Sequence, residues 1–183
     1  MSLNKFSIKE VEEKLRNKEI SAEELTNMAF EQIDKVEDDV KAFLTLNKEK
    51  ALEKARKIDE EQAFDKKLAA IPAAIKDNIV TEGVRTTAAS NILSNFNDPL
   101  YDATVVKKLD EANSIMIGKV NLDEFAMGAT TETSAFQKTA NPWNLEHVPG
   151  GSSGGNTQPI IPDFIVDTYD DGEINLSLNN KNT

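Results

Sequence analysis

The stretch LAAIPAAIKDNIV, residues 68–80, decides the fold class. It is a mostly apolar run with a polar exit at Lys76, Asp77 and Asn78, which reads as a buried strand. A second apolar run, SIMIGKV at 114–120, reads the same way. Between them Asp102 is placed to start an amphipathic helix through Val105, Val106 and Leu109. Strand, helix and strand in that order make a βαβ unit, so the class is α/β.

Upstream, residues 7–60 read as mainly helical. Ser7 with Glu10, and Ser21 with Glu24, each fit the S-x-x-E capping box and predict two short helices. In the second, Leu25, Met28, Ala29, Ile33 and Val36 fall on one stripe at 3.6-residue spacing, so that helix packs on something. AFLTL at 42–46 is compatible with a short strand. Ala51, Leu52, Ala55 and Ile58 mark a third helix, with Lys48, Glu49, Lys54 and Arg56 turned to solvent.

Composition narrows the chemistry. The 183 residues carry a net charge of -11 and no cysteine, which removes disulfides, thiolate nucleophiles and cysteine zinc sites. The single His147 cannot build a histidine cluster, and metal catalysis is not expected. An acidic chain repels nucleic-acid phosphate, so no direct nucleic-acid contact is expected. The apolar runs fall short of the ~20 residues that span a bilayer and the start has no signal-peptide core, which predicts no membrane association and a cytoplasmic location.

Residues 121–155 form a long connection of small and polar groups that ends in GGSSGG, 150–155. Long loops in compact domains tend to be functional. Taken alone, glycine and serine fit a flexible linker. The spacing from Gly150 to Thr157 also approaches G-x-x-x-x-G-K-[ST], but Asn156 stands where a phosphate-binding lysine belongs.

The phrases IPAAIKDNIV, TTAAS, GKVNLDEFAMG, TETSAF and NPWNLEHVPGGSSGG, in this order, closely resemble the amidase signature family over about residues 1–155. Within it they are most similar to the branch of A subunits of glutamyl-tRNA(Gln) amidotransferases. The resemblance implies the N-terminal part of an α/β/α fold with a mixed sheet. It divides the chain into a partial amidase domain, 1–155, with a helical region 1–66 and a sheet and catalytic-loop part 67–155, followed by an unrelated acidic tail, 156–183.

The family uses a Ser, cis-Ser, Lys triad. By motif, Lys76 matches the lysine and Ser152 the bridging serine, while Met127 and Gly128 match substrate-pocket positions. A lysine acts as a base only when neutral, so burial must lower its pKa from ~10.4. The implied activity is glutamine hydrolysis, with the ammonia passed on to convert Glu-tRNA(Gln) to Gln-tRNA(Gln). Such a chain is the glutaminase component of an ATP-dependent carbon–nitrogen ligase. The implied partners are the B and C subunits, with ATP and magnesium held there and no cofactor on this chain.

The sequence departs from the pattern after Gly155. The family continues into a small-residue helix and a second glycine and serine motif with the nucleophile, whereas only Ser177 follows Ser153 here. The expectation is a truncated domain, inactive alone. The alternatives are a non-catalytic partner-binding module and a frameshifted product. Without the downstream helix, Gly150 to Gly155 are expected to be mobile, and the sheet to keep unpaired edges. FIVDTY and INLSL, flanking Asp171-Gly172, fit either a hairpin or a frayed tail.

Overall fold

The computed structural model of the chain describes residues 7–157, 165–168 and 174–176. Both capping boxes form. Helix α1, Ile8–Arg16, starts at Ser7, whose Oγ accepts from Glu10 N at 3.3 Å while Glu10 Oε2 accepts from Ser7 N at 2.7 Å. Helix α2, Ala22–Val40, repeats the device with Ser21 and Glu24. At 19 residues α2 is not the short helix expected. No proline or glycine interrupts it, and it stops only where Lys41 turns left-handed at φ 56°.

A further cap was not legible in the sequence. Asp59, on helix α3 (Lys48–Glu61), accepts from Ala22 N at 2.8 Å and Glu23 N at 3.0 Å. Its carboxylate takes two N–H groups that α2 cannot satisfy itself, at the positive end of that helix. Asp59→Ala is expected to cost about 1–2 kcal/mol. A urea midpoint equal to that of the parent chain would show the contact to be idle.

The sheet runs in the order β1, β3, β2, β4, β5, with β1 Phe43–Leu46, β2 Pro72–Lys76, β3 Ile115–Val120, β4 Ile165–Thr168 and β5 Ile174–Leu176. Strands β2 and β3 are parallel, with Lys76 opposite Val120, and helix α4 (Thr104–Glu111) crosses between them. This is the βαβ unit. Every residue of β2 is buried because both faces of the strand are covered. On one face Leu25, Phe30 and Ile33 of α2 with Ala55 and Ile58 of α3 share a core with Ala74, Ile117 and Val120. On the other, Val106 and Leu109 of α4 pack with Ala73, Ile75 and Ile79. Helices on both sides of a mixed sheet give an α/β/α arrangement.

Two expectations need correction. The helix placed at Asp102 begins at Thr104, and Ala103 caps it without a side-chain bond. Asp102 lies one residue too early to cap, and its carboxylate accepts from Glu82 N at 2.7 Å, tying down the loop after β2. The second edge of β2 is also not left open. Strand β4 pairs with it in parallel, Ala74 opposite Ile165 and Ile75 opposite Val166, and β5 pairs with β4 in antiparallel fashion. A buried strand needs partners for its N–H and C=O groups, and β4 supplies them along this edge. Asp171 and Gly172 lie outside the described residues. No helix among the described residues is long and apolar enough to cross a membrane.

Candidate functional site

Because β2 and β3 are parallel and end level with each other, the polar residues that follow them meet at one end of the sheet. Lys76 closes β2 and is only 6% exposed, Asp77 follows it, and Asn121 and Asp123 follow β3, all three fully buried. The carboxyl ends of strands in such sheets are where ligand sites form. The loop 150–155 crosses this end. Gly155 N donates to Asn121 O at 3.0 Å, and Asp123 N donates to Ser152 O at 2.9 Å.

These contacts bring Lys76 and Ser152 together from 76 residues apart. Lys76 Nζ donates to Ser152 Oγ at 3.0 Å and to Ser153 Oγ at 2.5 Å. The peptide bond between Gly151 and Ser152 is cis. Ser153 was not singled out in the sequence, although it adjoins the motif serine. An amine buried at a strand end, facing two hydroxyls, can take a proton from one of them when it is neutral and return it from the ammonium so formed.

The loop is clamped rather than mobile, which corrects the expectation drawn from the sequence. Thr131 Oγ1 donates to Gly150 O at 2.8 Å, adding to the bonds from Asp123 and Gly155. The order expected from a downstream helix comes instead from the upstream segment 121–133. Its organiser is Asp123, whose carboxylate accepts from Thr130 N, Thr131 N and Thr133 N at 3.2, 3.0 and 3.3 Å and from Thr133 Oγ1 at 2.8 Å. Burial pushes this carboxyl up, but the donors from Thr131, Thr133 and Thr130 together hold it below the usual carboxylate range.

Beneath the site lies a buried ion pair that sequence reading missed. Lys119 of β3 is fully buried, and its Nζ donates to Ile79 O at 2.6 Å and Thr86 Oγ1 at 2.9 Å. It stands 3.8 Å from Asp77 Oδ1, close enough for charge attraction and too far for a hydrogen bond. Burial lowers the Lys119 pKa to about 8, against the opposing charges of Asp77 and Asp102. Burial likewise raises Asp77, against Lys119 and the bonds from Thr87. The only sequence signal was a lysine inside an apolar strand, IMIGKV.

Asp77 Oδ2 accepts from Thr87 N at 2.9 Å and so fixes the TTAAS segment, residues 86–90. That segment accepts Phe125 N on Ala88 O and Ala135 N on Ala89 O, both at 2.9 Å, and Ser90 Oγ donates to Glu124 Oε1 at 2.5 Å. The ion pair, TTAAS and the loop that carries Asp123 are thus one hydrogen-bonded frame. Gly128 sits against the Asp123 carboxylate, while Met127 is 79% exposed rather than packed in the core.

A profile of the Amidase family matches residues 24–158 of this chain. The chain belongs to the amidase family. The A subunit of glutamyl-tRNA(Gln) amidotransferase from Oceanobacillus iheyensis is 56% identical over 168 residues, 92% of this chain and 34% of that protein. Its counterpart from Bacillus cytotoxicus is 54% identical over 162 residues, 87% of this chain and 33% of that protein. The chain therefore spans about a third of the length of the curated amidase relatives it matches.

Solved amidase structures agree in fold. The A subunit of the Thermotoga maritima glutamyl-tRNA(Gln) amidotransferase superposes with a TM-score of 0.69 at 42% identity, covering 87% of this chain and 32% of that one. A bacterial aryl acylamidase of the amidase signature family reaches a TM-score of 0.77 at 25% identity, covering 85% of this chain and 33% of that one.

Proposed function

We propose that this chain carries the proton-relay half of a glutamine-hydrolysing amidase site of the kind found in A subunits of glutamyl-tRNA(Gln) amidotransferases. The observation that carries the reading is the Lys76 Nζ to Ser152 Oγ contact at 3.0 Å, formed at the buried carboxyl end of a central strand. In this reading Ser152 takes a proton from an attacking serine hydroxyl and gives one to the neutral Lys76 amine. The attacking oxygen bonds to the side-chain carbonyl carbon of glutamine. As the C–N bond breaks, the proton returns through Ser152 to the departing ammonia, and water then releases glutamate.

Ser152 and Ser153 both receive a hydrogen bond from Lys76, which suits relay rather than acyl transfer. The nucleophile belongs to a later motif that these 183 residues do not contain. Met127 and Gly128 follow Asp123 in the loop that clamps Ser152, and the proposal gives them a place at the wall of the glutamine pocket. ATP, magnesium and tRNA fall to the B and C subunits, in keeping with the charge of -11. The location that fits this work is the cytoplasm.

The isolated chain is accordingly expected to release no ammonia from glutamine above the buffer rate, even with excess substrate. Turnover that disappears in both Lys76→Ala and Ser152→Ala would overturn this and require a nucleophile within the chain.

A further inference from the structure

We propose that Asp123 is the positioning residue that sets Ser152 against Lys76, an inference that rests on reading this couple as the proton relay. Three segments converge on Asp123. Its backbone N donates to Ser152 O at 2.9 Å, and its backbone O accepts from Ala126 N at 2.8 Å. Its carboxylate gathers the amides of Thr130, Thr131 and Thr133. Thr131, so held, donates to Gly150 O, two residues before Ser152.

The fit on the other side is equally close. A Cβ built on Gly128 would lie 2.3 Å from Asp123 Cγ, and one built on Gly151 would lie 2.3 Å from Asp123 Oδ2. Glycine at both places lets the two loops close on the carboxylate. Asp123 is itself fully buried, so its four donors stand in for water. Moving the carboxylate frees the 130–133 amides, then the Gly150 carbonyl, then the Ser152 hydroxyl from Lys76. Asp123 touches no reacting atom in this scheme. It acts through Ser152.

The test follows Lys76 in the 183-residue chain by NMR titration of its side-chain Cε and Nζ signals, with the Ile33 methyl signals as a control for the distant core. Asp77 and Lys119 are present in every variant, so their own titration adds the same background to each curve. Ser152→Ala removes an acceptor of the charged amine and is expected to move the Lys76 midpoint down by roughly half a pH unit or more. Asp123→Asn should do the same, with on the order of tenfold faster hydrogen exchange at Thr130, Thr131 and Thr133.

Because Asp123→Asn also removes a charge, Asp123→Glu is the deciding arm. It keeps the charge, yet its extra methylene cannot fit between Gly128 and Gly151, so it should move the midpoint as Asn does. A midpoint moved by Ser152→Ala and left in place by Asp123→Glu, with Ile33 unchanged, would overturn the positioning role and leave the relay standing. A midpoint that Ser152→Ala does not move would overturn the relay itself. Should both Asp123 variants fail to fold, Thr131→Val is read by the same criterion, since it removes only the hydroxyl link to Gly150.

Discussion

Replacing Lys119 by methionine is expected to destabilise the chain by roughly 3–5 kcal/mol, the usual cost of removing one partner of a buried ion pair. The ammonium is fully buried and makes two hydrogen bonds, to Ile79 O and Thr86 Oγ1. Methionine fills the space but leaves those acceptors bare and strands the Asp77 carboxylate beside them. The double variant Lys119→Met with Asp77→Asn should lose less than the sum of the singles, with a coupling of roughly 1–3 kcal/mol. Urea midpoints of the four chains measure this, and strict additivity would show that the 3.8 Å pair contributes no mutual attraction.

The same lysine sets a pH dependence. Its folded pKa of about 8 lies below the unfolded value of ~10.4. Between the two the unfolded chain keeps the proton that the folded chain has released, so stability contributed by this group rises with pH across that window and is flat below it. Lys119→Met should abolish that rise. A parent chain whose urea midpoint does not climb relative to Lys119→Met between pH 8 and ~10.4 would contradict the assignment.

Gly151→Ala and Gly154→Ala are expected to destabilise the chain and to break the contact between Lys76 and Ser152. A Cβ on Gly151 meets Asp123 Oδ2 at 2.3 Å and the backbone of Ala129 and Thr130 at 2.5 Å. One on Gly154 meets Thr131 Oγ1 at 1.9 Å and Pro149 Cγ at 2.9 Å. Backbone at Gly151, and at Gly154 a proline ring and a buried threonine held by its bond to Gly150 O, cannot step aside as a flexible side chain can, so overpacking of about 1–3 kcal/mol or more is expected at each position. The sign of the effect separates two readings of GGSSGG. In a flexible linker, Gly→Ala is neutral or stabilises by about 0.4–1 kcal/mol through the unfolded chain. Thermal midpoints that rise in both variants would return the segment to the linker class.

What the sequence determined by itself was what short-range signals encode. Serine and glutamate three apart specify the starts of α1 and α2, and apolar runs with polar exits specify β2 and β3. Motif order pointed to Lys76 and Ser152, which the fold brings to 3.0 Å. The remainder was decided by contacts between distant segments, which leave little local trace. Asp59 caps a helix 36 and 37 residues away, and Asp102, read as a cap, serves Glu82 instead. Ile165 and Val166 pair with β2 because a buried strand must satisfy both its edges, a demand written in β2 and not in the tail. Lys119 is sequestered with Asp77 because its neighbours on a parallel strand are buried. Asp123 gains its place only when two loops close on one carboxylate, since a buried charge must collect its donors from whatever the fold brings within reach.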